Sequence, residues 1–233
     1  MGTPTRFTFG VTNVAKATAL GMMGQLDPTK IHTYFNDFDT YTAANWTVTE
    51  TGTAGTTTQA LTAGDGGLLL LTNSAGGTDA TYMQLDVASF LMATGKKAFF
   101  KTRFKVDDAT NTTVQMGLVI TDTSPIGATD GIYFQKDSTA TAVDVYCRKD
   151  ATTGSTSATG ITTMADDTFI ELGWYYDGRG TVYAYANDVV VARLDASSTY
   201  LPDATLNVSM GLLNASAAAH TMTVDYILAA KER

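Results

Sequence analysis

Short runs in which apolar and polar residues alternate constrain this chain more than any other feature. In residues 99–106 apolar side chains at even positions alternate with basic ones at odd positions: Phe100, Phe104 and Val106 against Lys101, Arg103 and Lys105. The same period of two recurs in residues 114–120, 132–134, 143–147, 170–176, 206–212 and 222–228. Successive side chains of a β-strand point to opposite faces, so this period predicts strands with one buried face.

Turn signals separate these runs at near-regular intervals. They lie at residues 64–67, 130–131, 177–180 and 187–188, and they combine Gly, Asp and Asn. These residues tolerate the positive φ that tight hairpins need. With no pattern for a long helix, the chain is predicted to be all-β, with two packed antiparallel sheets. The unbroken leucines at 68–71 predict a strand covered on both faces, and residues 149–165 predict a polar loop or an edge hairpin.

The first 33 residues lack this pattern. They mix small, apolar and basic side chains, and their glycines disfavour a helix. We therefore assign residues 1–33 to an extended N-terminal arm and residues 34–233 to the sandwich domain.

Charge and composition exclude several partners. The net charge of −8 repels a phosphate backbone, so we expect no nucleic acid partner. No apolar run approaches the ~18 residues of a membrane span, so we expect no membrane partner. The single cysteine, Cys147, excludes an internal disulfide framework and fits folding in a reducing cytoplasm. Because it alternates with Val143 and Val145, we expect it to be buried.

Candidate catalytic groups are sparse. Glycoside hydrolysis on a sandwich needs a pair of carboxylates close together on one face. Glutamate occurs only at Glu50, Glu171 and Glu232, and none has a second acid two or four residues further on. The two histidines, His32 and His220, supply neither a triad nor a histidine-rich metal site. The sequence therefore predicts no catalytic residue, no cofactor, no metal site and no enzyme activity.

Two segments resemble a known class of sandwiches. Residues 169–178, which end in Asp177-Gly178, followed by residues 181–191, resemble the central hairpin of concanavalin-like and laminin-G-like proteins. Residues 222–227 resemble the last strand of the same sandwiches. The resemblance implies a jelly-roll of the concanavalin-like kind.

A second resemblance concerns the front of the chain. Residues 10–14, 26–30, 32–39, 46–49 and 64–73 are similar, in this order, to the capsid decoration (cement) proteins of tailed bacteriophages. The resemblance implies a structural virion protein that binds the major capsid protein as a homotrimer. It would stabilise the capsid surface by bridging shell subunits after assembly in the host cytoplasm. We expect capsid or subunit contact through the arm, at Arg6, Phe7, Phe9, Val11, Lys16, Leu20, Met22, Met23 and Leu26.

A different function is the alternative. Tyr175, Tyr183 and Tyr185 are candidates for an aromatic platform that stacks on sugar rings, and alternation places Tyr183 and Tyr185 on one face. This predicts a carbohydrate-binding, lectin-like module such as an adhesin or a tail-fibre domain. Cross-strand packing of the same rings under a loop or subunit is the competing interpretation.

Overall fold

The computed structural model describes residues 29–52, 57–150 and 154–233. These residues form two antiparallel β-sheets, and one short 3-10 turn, Ala43–Asn45, is the only helical segment among them. The predicted all-β, two-sheet antiparallel architecture is confirmed. No helix in the described part of the chain is long and apolar enough to cross a membrane.

The first sheet contains the strands β14, β13, β12, β7, β16, β4 and β3 in spatial order, and β1 also pairs with β16. Their bounds are β1 Ile31–Asn36, β3 Thr58–Thr62, β4 Leu68–Thr72, β7 Ala98–Val106, β12 Ile170–Tyr176, β13 Thr181–Ala186, β14 Val189–Asp195 and β16 Thr221–Glu232.

The second sheet contains β11, β10, β9, β8, β15, β5 and β2 in spatial order, and β6 also pairs with β15. Their bounds are β2 Trp46–Thr51, β5 Ala80–Leu85, β6 Phe90–Leu91, β8 Thr112–Val119, β9 Gly131–Lys136, β10 Ala142–Lys149, β11 Gly154–Thr163 and β15 Thr205–Asn214.

One hydrophobic core lies between the sheets. Trp174 of β12 is fully buried and stacks on Phe100 of β7, with ring centroids 6.0 Å apart. From the second sheet, Met116, Phe134 and Cys147 join the same cluster. The faces predicted from the period of two in β7, β8, β9, β10 and β12 are those that the structure turns inward.

The last strand departs from its predicted pattern. A period of two through residues 222–228 puts Tyr226 and Leu228 on the core face, but the register of β16 against β7 shifts between Val224 and Tyr226. This bulge gives β16 one extra residue, so Ile227 and Ala229 enter the core, while Tyr226 and Leu228 lie on the outer face.

The structure also tests the predictions for residues 68–71 and 149–165. Leu69 and Leu71 of β4 are buried, but Leu68 and Leu70 are half-exposed, so the prediction of a strand covered on both faces is wrong. Strand β4 lies next to the edge of the sheet, between β16 and the edge strand β3. The polar stretch at 149–165 contains the edge strand β11, which pairs with β10.

The predicted arm lies mostly outside the described residues. Strand β1 begins at Ile31, so it includes the last three residues assigned to the arm. It pairs with the second half of β16.

Candidate functional site

The three tyrosines of the predicted platform lie together on the outer face of the first sheet. Tyr175 of β12 is directly opposite Tyr183 of β13, and their ring centroids are 6.3 Å apart. Tyr185 follows two residues later on β13 and faces the same side. Tyr175 is buried, whereas Tyr183 and Tyr185 are half-buried and keep part of their rings accessible.

Apolar and cationic neighbours extend this tyrosine face. Phe99, Ala230 and Ile31 form a buried cluster with Tyr175, and Tyr183, Tyr185 and Leu228 pack against that cluster. The Arg193 guanidinium of β14 lies 5.2 Å from the centroid of the Tyr183 ring. A cation over a ring face is attracted to the negative face of the π system.

A glycine interrupts the row of side chains beside Tyr185. Gly173 is the cross-strand partner of Tyr185 on one side and of Lys101 on the other. A Cβ at this position would lie 3.0 Å from the Phe100 carbonyl oxygen and 3.5 Å from Lys101 Cγ. The missing side chain therefore leaves space in which the Lys101 chain lies close to the sheet.

The head group of Lys101 joins two carboxylates at the rim of the tyrosine face. Its Nζ lies 2.7 Å from Glu171 Oε1 and 2.8 Å from Asp188 Oδ1. Burial alone would lower the pKa of Lys101, but its hydrogen bonds to Asp188 and Glu171 outweigh burial and raise it. The ammonium group therefore stays charged, and the rim presents donors and acceptors of the kind that bind hydroxyl groups.

The polar network continues along β7. Arg103 pairs with Asp225, and Lys105 Nζ lies 3.0 Å from Asp167 Oδ1. The Tyr226 hydroxyl donates to Glu171, and burial together with this hydrogen bond raises the pKa of Tyr226. Each basic residue of β7 therefore forms an ion pair with an acid of a neighbouring element.

The tyrosine face combines the features that a saccharide site needs. The C–H faces of a pyranose ring are apolar and fit against aromatic rings, while its hydroxyl groups need charged or polar partners at the rim. Tyr183 and Tyr185 offer the rings, and Arg193, Lys101, Glu171 and Asp188 offer the polar groups. The sequence identifies the three tyrosines, but it misses Arg193, Gly173 and Phe99, because only the strand register places them there.

The arm residues predicted to contact a capsid or a subunit lie outside the part of the chain that the structure describes. Arg6, Phe7, Phe9, Val11, Lys16, Leu20, Met22, Met23 and Leu26 all lie outside the described residues. The prediction that they contact a capsid or a subunit stays a prediction.

The histidines have structural partners. His32 packs against Phe90 with ring centroids 4.8 Å apart, and burial lowers its pKa. His220 is buried, and its Nδ1 lies 3.1 Å from Asp107 Oδ2.

Three acids that are far apart in the sequence lie close together in the structure. Carboxylate oxygens of Asp130, Asp150 and Asp203 lie within 4.8 Å of one another. Lys149 Nζ is 2.7 Å from Asp203 and neutralises part of this charge. The three acids come from distant loops, so their spacing in the sequence gives no signal.

Comparisons with known proteins identify the fold. No family model and no curated protein matches the chain. Among solved structures, an endo-1,3-beta-glucanase from Streptomyces sioyaensis superposes with a TM-score of 0.61 at 13% identity, covering 89% of this chain and 98% of the other. The Emp47p carbohydrate recognition domain gives 0.57 at 10% identity, covering 88% and 98%. Peanut lectin, solved with a 9mer peptide, gives 0.55 at 8% identity, covering 87% and 97%.

These neighbours define the chain first as a jelly-roll sandwich of two antiparallel sheets. More narrowly, the sandwich is of the concanavalin-like kind found in lectins and glucanases. Identities of this size show the fold alone.

The exclusion of enzyme activity, as predicted from the sequence, is wrong. The same fold is shared by an endo-1,3-beta-glucanase, so the architecture does not separate binding modules from enzymes. The argument from spacing along one strand also fails, because acids from different elements can lie close together. Glu171 of β12 and Asp188 of the β13–β14 turn both bind the Lys101 ammonium group.

Proposed function

We propose that this chain is a carbohydrate-binding, lectin-like module that holds a saccharide on the tyrosine face of the first sheet. The observation that carries the proposal is the position of Tyr183 and Tyr185. Their partly accessible rings lie beside Arg193 and the Lys101 network on a single surface. The carbohydrate recognition domain of Emp47p and peanut lectin have the same fold, which supports this choice over a purely structural role.

The hydrogen-bonding groups suit a hydroxyl-rich ligand of low charge. The rim carries Arg193 and Lys101 as cations and Glu171 and Asp188 as acids, so neither sign dominates. Such a rim can donate to and accept from hydroxyls without selecting a strongly charged ligand. Aromatic stacking would then supply affinity, and the rim would supply orientation.

Substitution of the rings tests this proposal. Tyr183→Ala and Tyr185→Ala should each weaken binding of a responding oligosaccharide by about tenfold, because each removes a stacking surface. The measurement is calorimetric titration with the strongest binder from an array of glucan, mannan, galactan and uronan oligosaccharides.

The matched control is Tyr200→Ala, which removes a half-buried tyrosine from the β14–β15 loop. Its affinity should equal that of the unmodified chain. Equal losses in all three variants, or no saccharide bound by the unmodified chain, would contradict the proposal.

The hypothesis of a homotrimeric capsid decoration protein stays a prediction. It depends on arm residues that lie outside the described part of the chain, and nothing in the described residues bears on a shell partner.

A further inference from the structure

A loop crosses the outer face of the second sheet. Residues 120–130, called the strap below, connect β8 to β9, and the Ile120 amide donates to the Asp130 carbonyl at 3.0 Å. The adjacent residues Val119 and Gly131 are paired in the β8–β9 ladder. The strap is therefore a compact loop whose two ends are held together by the sheet.

Side chains of the sheet hold the strap by its backbone. Gln84 donates to the Ile120 carbonyl at 3.0 Å and accepts from the Asp122 amide at 2.8 Å. Arg148 donates to the Gly127 carbonyl at 3.1 Å, and Tyr133 donates to the Ala128 carbonyl at 3.2 Å. Amides, a guanidinium and a phenol are also the groups that bind the hydroxyls of a saccharide.

Polar atoms beneath the strap are left without partners. Gln115 of β8 is fully buried, and neither atom of its amide has a hydrogen-bond partner among the described residues. Asn207 Oδ1 and Arg148 Nε, on the same face, also lack one. Four of the seven such atoms in the described part of the chain thus lie on this one face. Buried polar atoms are nearly always paired with protein or ordered water, so this concentration marks a face that suits a polar ligand.

Aromatic rings flank the unpaired amide. Gly211 is the cross-strand neighbour of Gln115, and a Cβ there would lie 2.9 Å from Tyr82 Cδ1 and 3.8 Å from Ile126 Cγ1. The Tyr82 ring therefore reaches over the bare glycine. Nearby, the rings of Tyr133 and Tyr146 stack with centroids 5.3 Å apart. Ring faces beside amides are the composition of a saccharide site.

We propose that this face of the second sheet is a further saccharide site, covered by the strap. The strap occupies the place of the ligand, because its backbone takes the hydrogen bonds of Gln84, Arg148 and Tyr133. A saccharide that displaces it gains these groups together with the unpaired amide of Gln115. The site lies on the opposite sheet from the tyrosine face and does not depend on that face binding.

Removal of the strap is the direct experiment. In one variant an Asn-Gly turn joins Val119 to Gly131 in place of residues 120–130, because a two-residue turn of this kind closes a hairpin. Its affinity for the same glucan, mannan, galactan and uronan oligosaccharides is compared with that of the full chain. If the closed state dominates by about tenfold, the variant should bind about tenfold more tightly.

Further variants separate this site from the tyrosine face. In the strap-less chain, Gln115→Leu should reverse the gain, whereas Tyr183→Ala should leave the gain unchanged. A folded strap-less variant that binds no tighter than the full chain would overturn the inference. A gain in affinity that persists in the Gln115→Leu variant would also overturn the inference. It would show that the Gln115 amide is paired with buried water and not with the saccharide.

A measurement on the unmodified chain covers the case in which the strap-less variant does not fold. The Asp122 and Gly127 amides are bonded to Gln84 and Gln135 when the strap is closed. Saturation with the same oligosaccharides should accelerate hydrogen exchange at both amides, because the ligand displaces the strap. Unchanged or slower exchange at both would overturn the inference.

Discussion

Cys147 shows how one buried residue couples the core to pH. Its thiol is fully buried in β10, and its Sγ lies 3.3 Å from the Tyr200 carbonyl oxygen. Burial, with a smaller effect from Asp195, raises the pKa of the thiol to about 12 from 9.0. Between these values the unfolded chain loses a proton that the folded chain keeps, so stability falls as pH rises.

We therefore predict a pH-dependent effect of Cys147→Ala. At about pH 8 the substitution should cost about 1 kcal/mol through the cavity it leaves. Between about pH 8 and pH 10 the unmodified chain should lose about 1 kcal/mol more than the variant, because only it carries the thiol. Urea unfolding at both pH values measures this. A stability difference that does not change with pH would contradict the assignment.

Lys136 is a residue whose burial could not be predicted from the sequence. It continues the core-facing series of Ile132 and Phe134 in β9, where a charged side chain suggests the end of a strand. The structure buries it, and its ammonium group donates to the Ala109 carbonyl at 2.5 Å and to the Thr112 carbonyl. Burial lowers its pKa to about 8. Its partners are backbone carbonyls of the β7–β8 loop and of the first residue of β8, for which no residue type in the sequence is a signal.

At the scale of the element, the β13–β14 hairpin was predictable from its turn residues. Asn187 and Asp188 have φ values of 47° and 63°, the left-handed conformations that Asn and Asp tolerate. The Asn187 side chain also accepts the Glu171 amide at 3.1 Å, which ties the turn to β12.

Asn187→Val should therefore destabilise the chain by about 1–3 kcal/mol, because a β-branched residue is strained at positive φ. Asn187→Gly relieves that strain and loses only the hydrogen bond to Glu171, so its loss should be smaller. Thermal unfolding followed by circular dichroism compares them. Equal losses of stability in the Asn187→Gly and Asn187→Val variants would show that backbone strain at residue 187 does not set the stability of the turn.

The β16 strand marks the limit of such predictions. Its alternation is as regular as that of β7, yet a bulge at Asp225 reverses the faces that follow. The bulge depends on the pairing of β16 with β7, and pairing is not visible in one strand read alone. The same limit hid Arg193 and Gly173, which reach the tyrosine face only through register.

At the scale of the whole molecule, the period of two and the turn signals were enough to predict two packed sheets. The sequence was weaker on function, because a jelly-roll supports lectins and glucanases alike, and site chemistry is assembled from strands far apart in the chain. The exclusion of enzyme activity failed for that reason.

The described strands predict that the sandwich folds without most of the arm. The first of them begins at Ile31, and the core cluster is built from later residues. Deletion of residues 2–26 should therefore preserve one cooperative unfolding transition, measured by calorimetry. Loss of that transition would show that the arm is part of the folding unit.

The most direct test of the central claim is an NMR titration of the unmodified chain with the oligosaccharide that binds most tightly. Saccharide binding on the tyrosine face predicts that the ring resonances of Tyr183 and Tyr185 and the amide of Arg193 shift together along one saturating curve. The contradicting result is a bound saccharide that leaves all three unmoved.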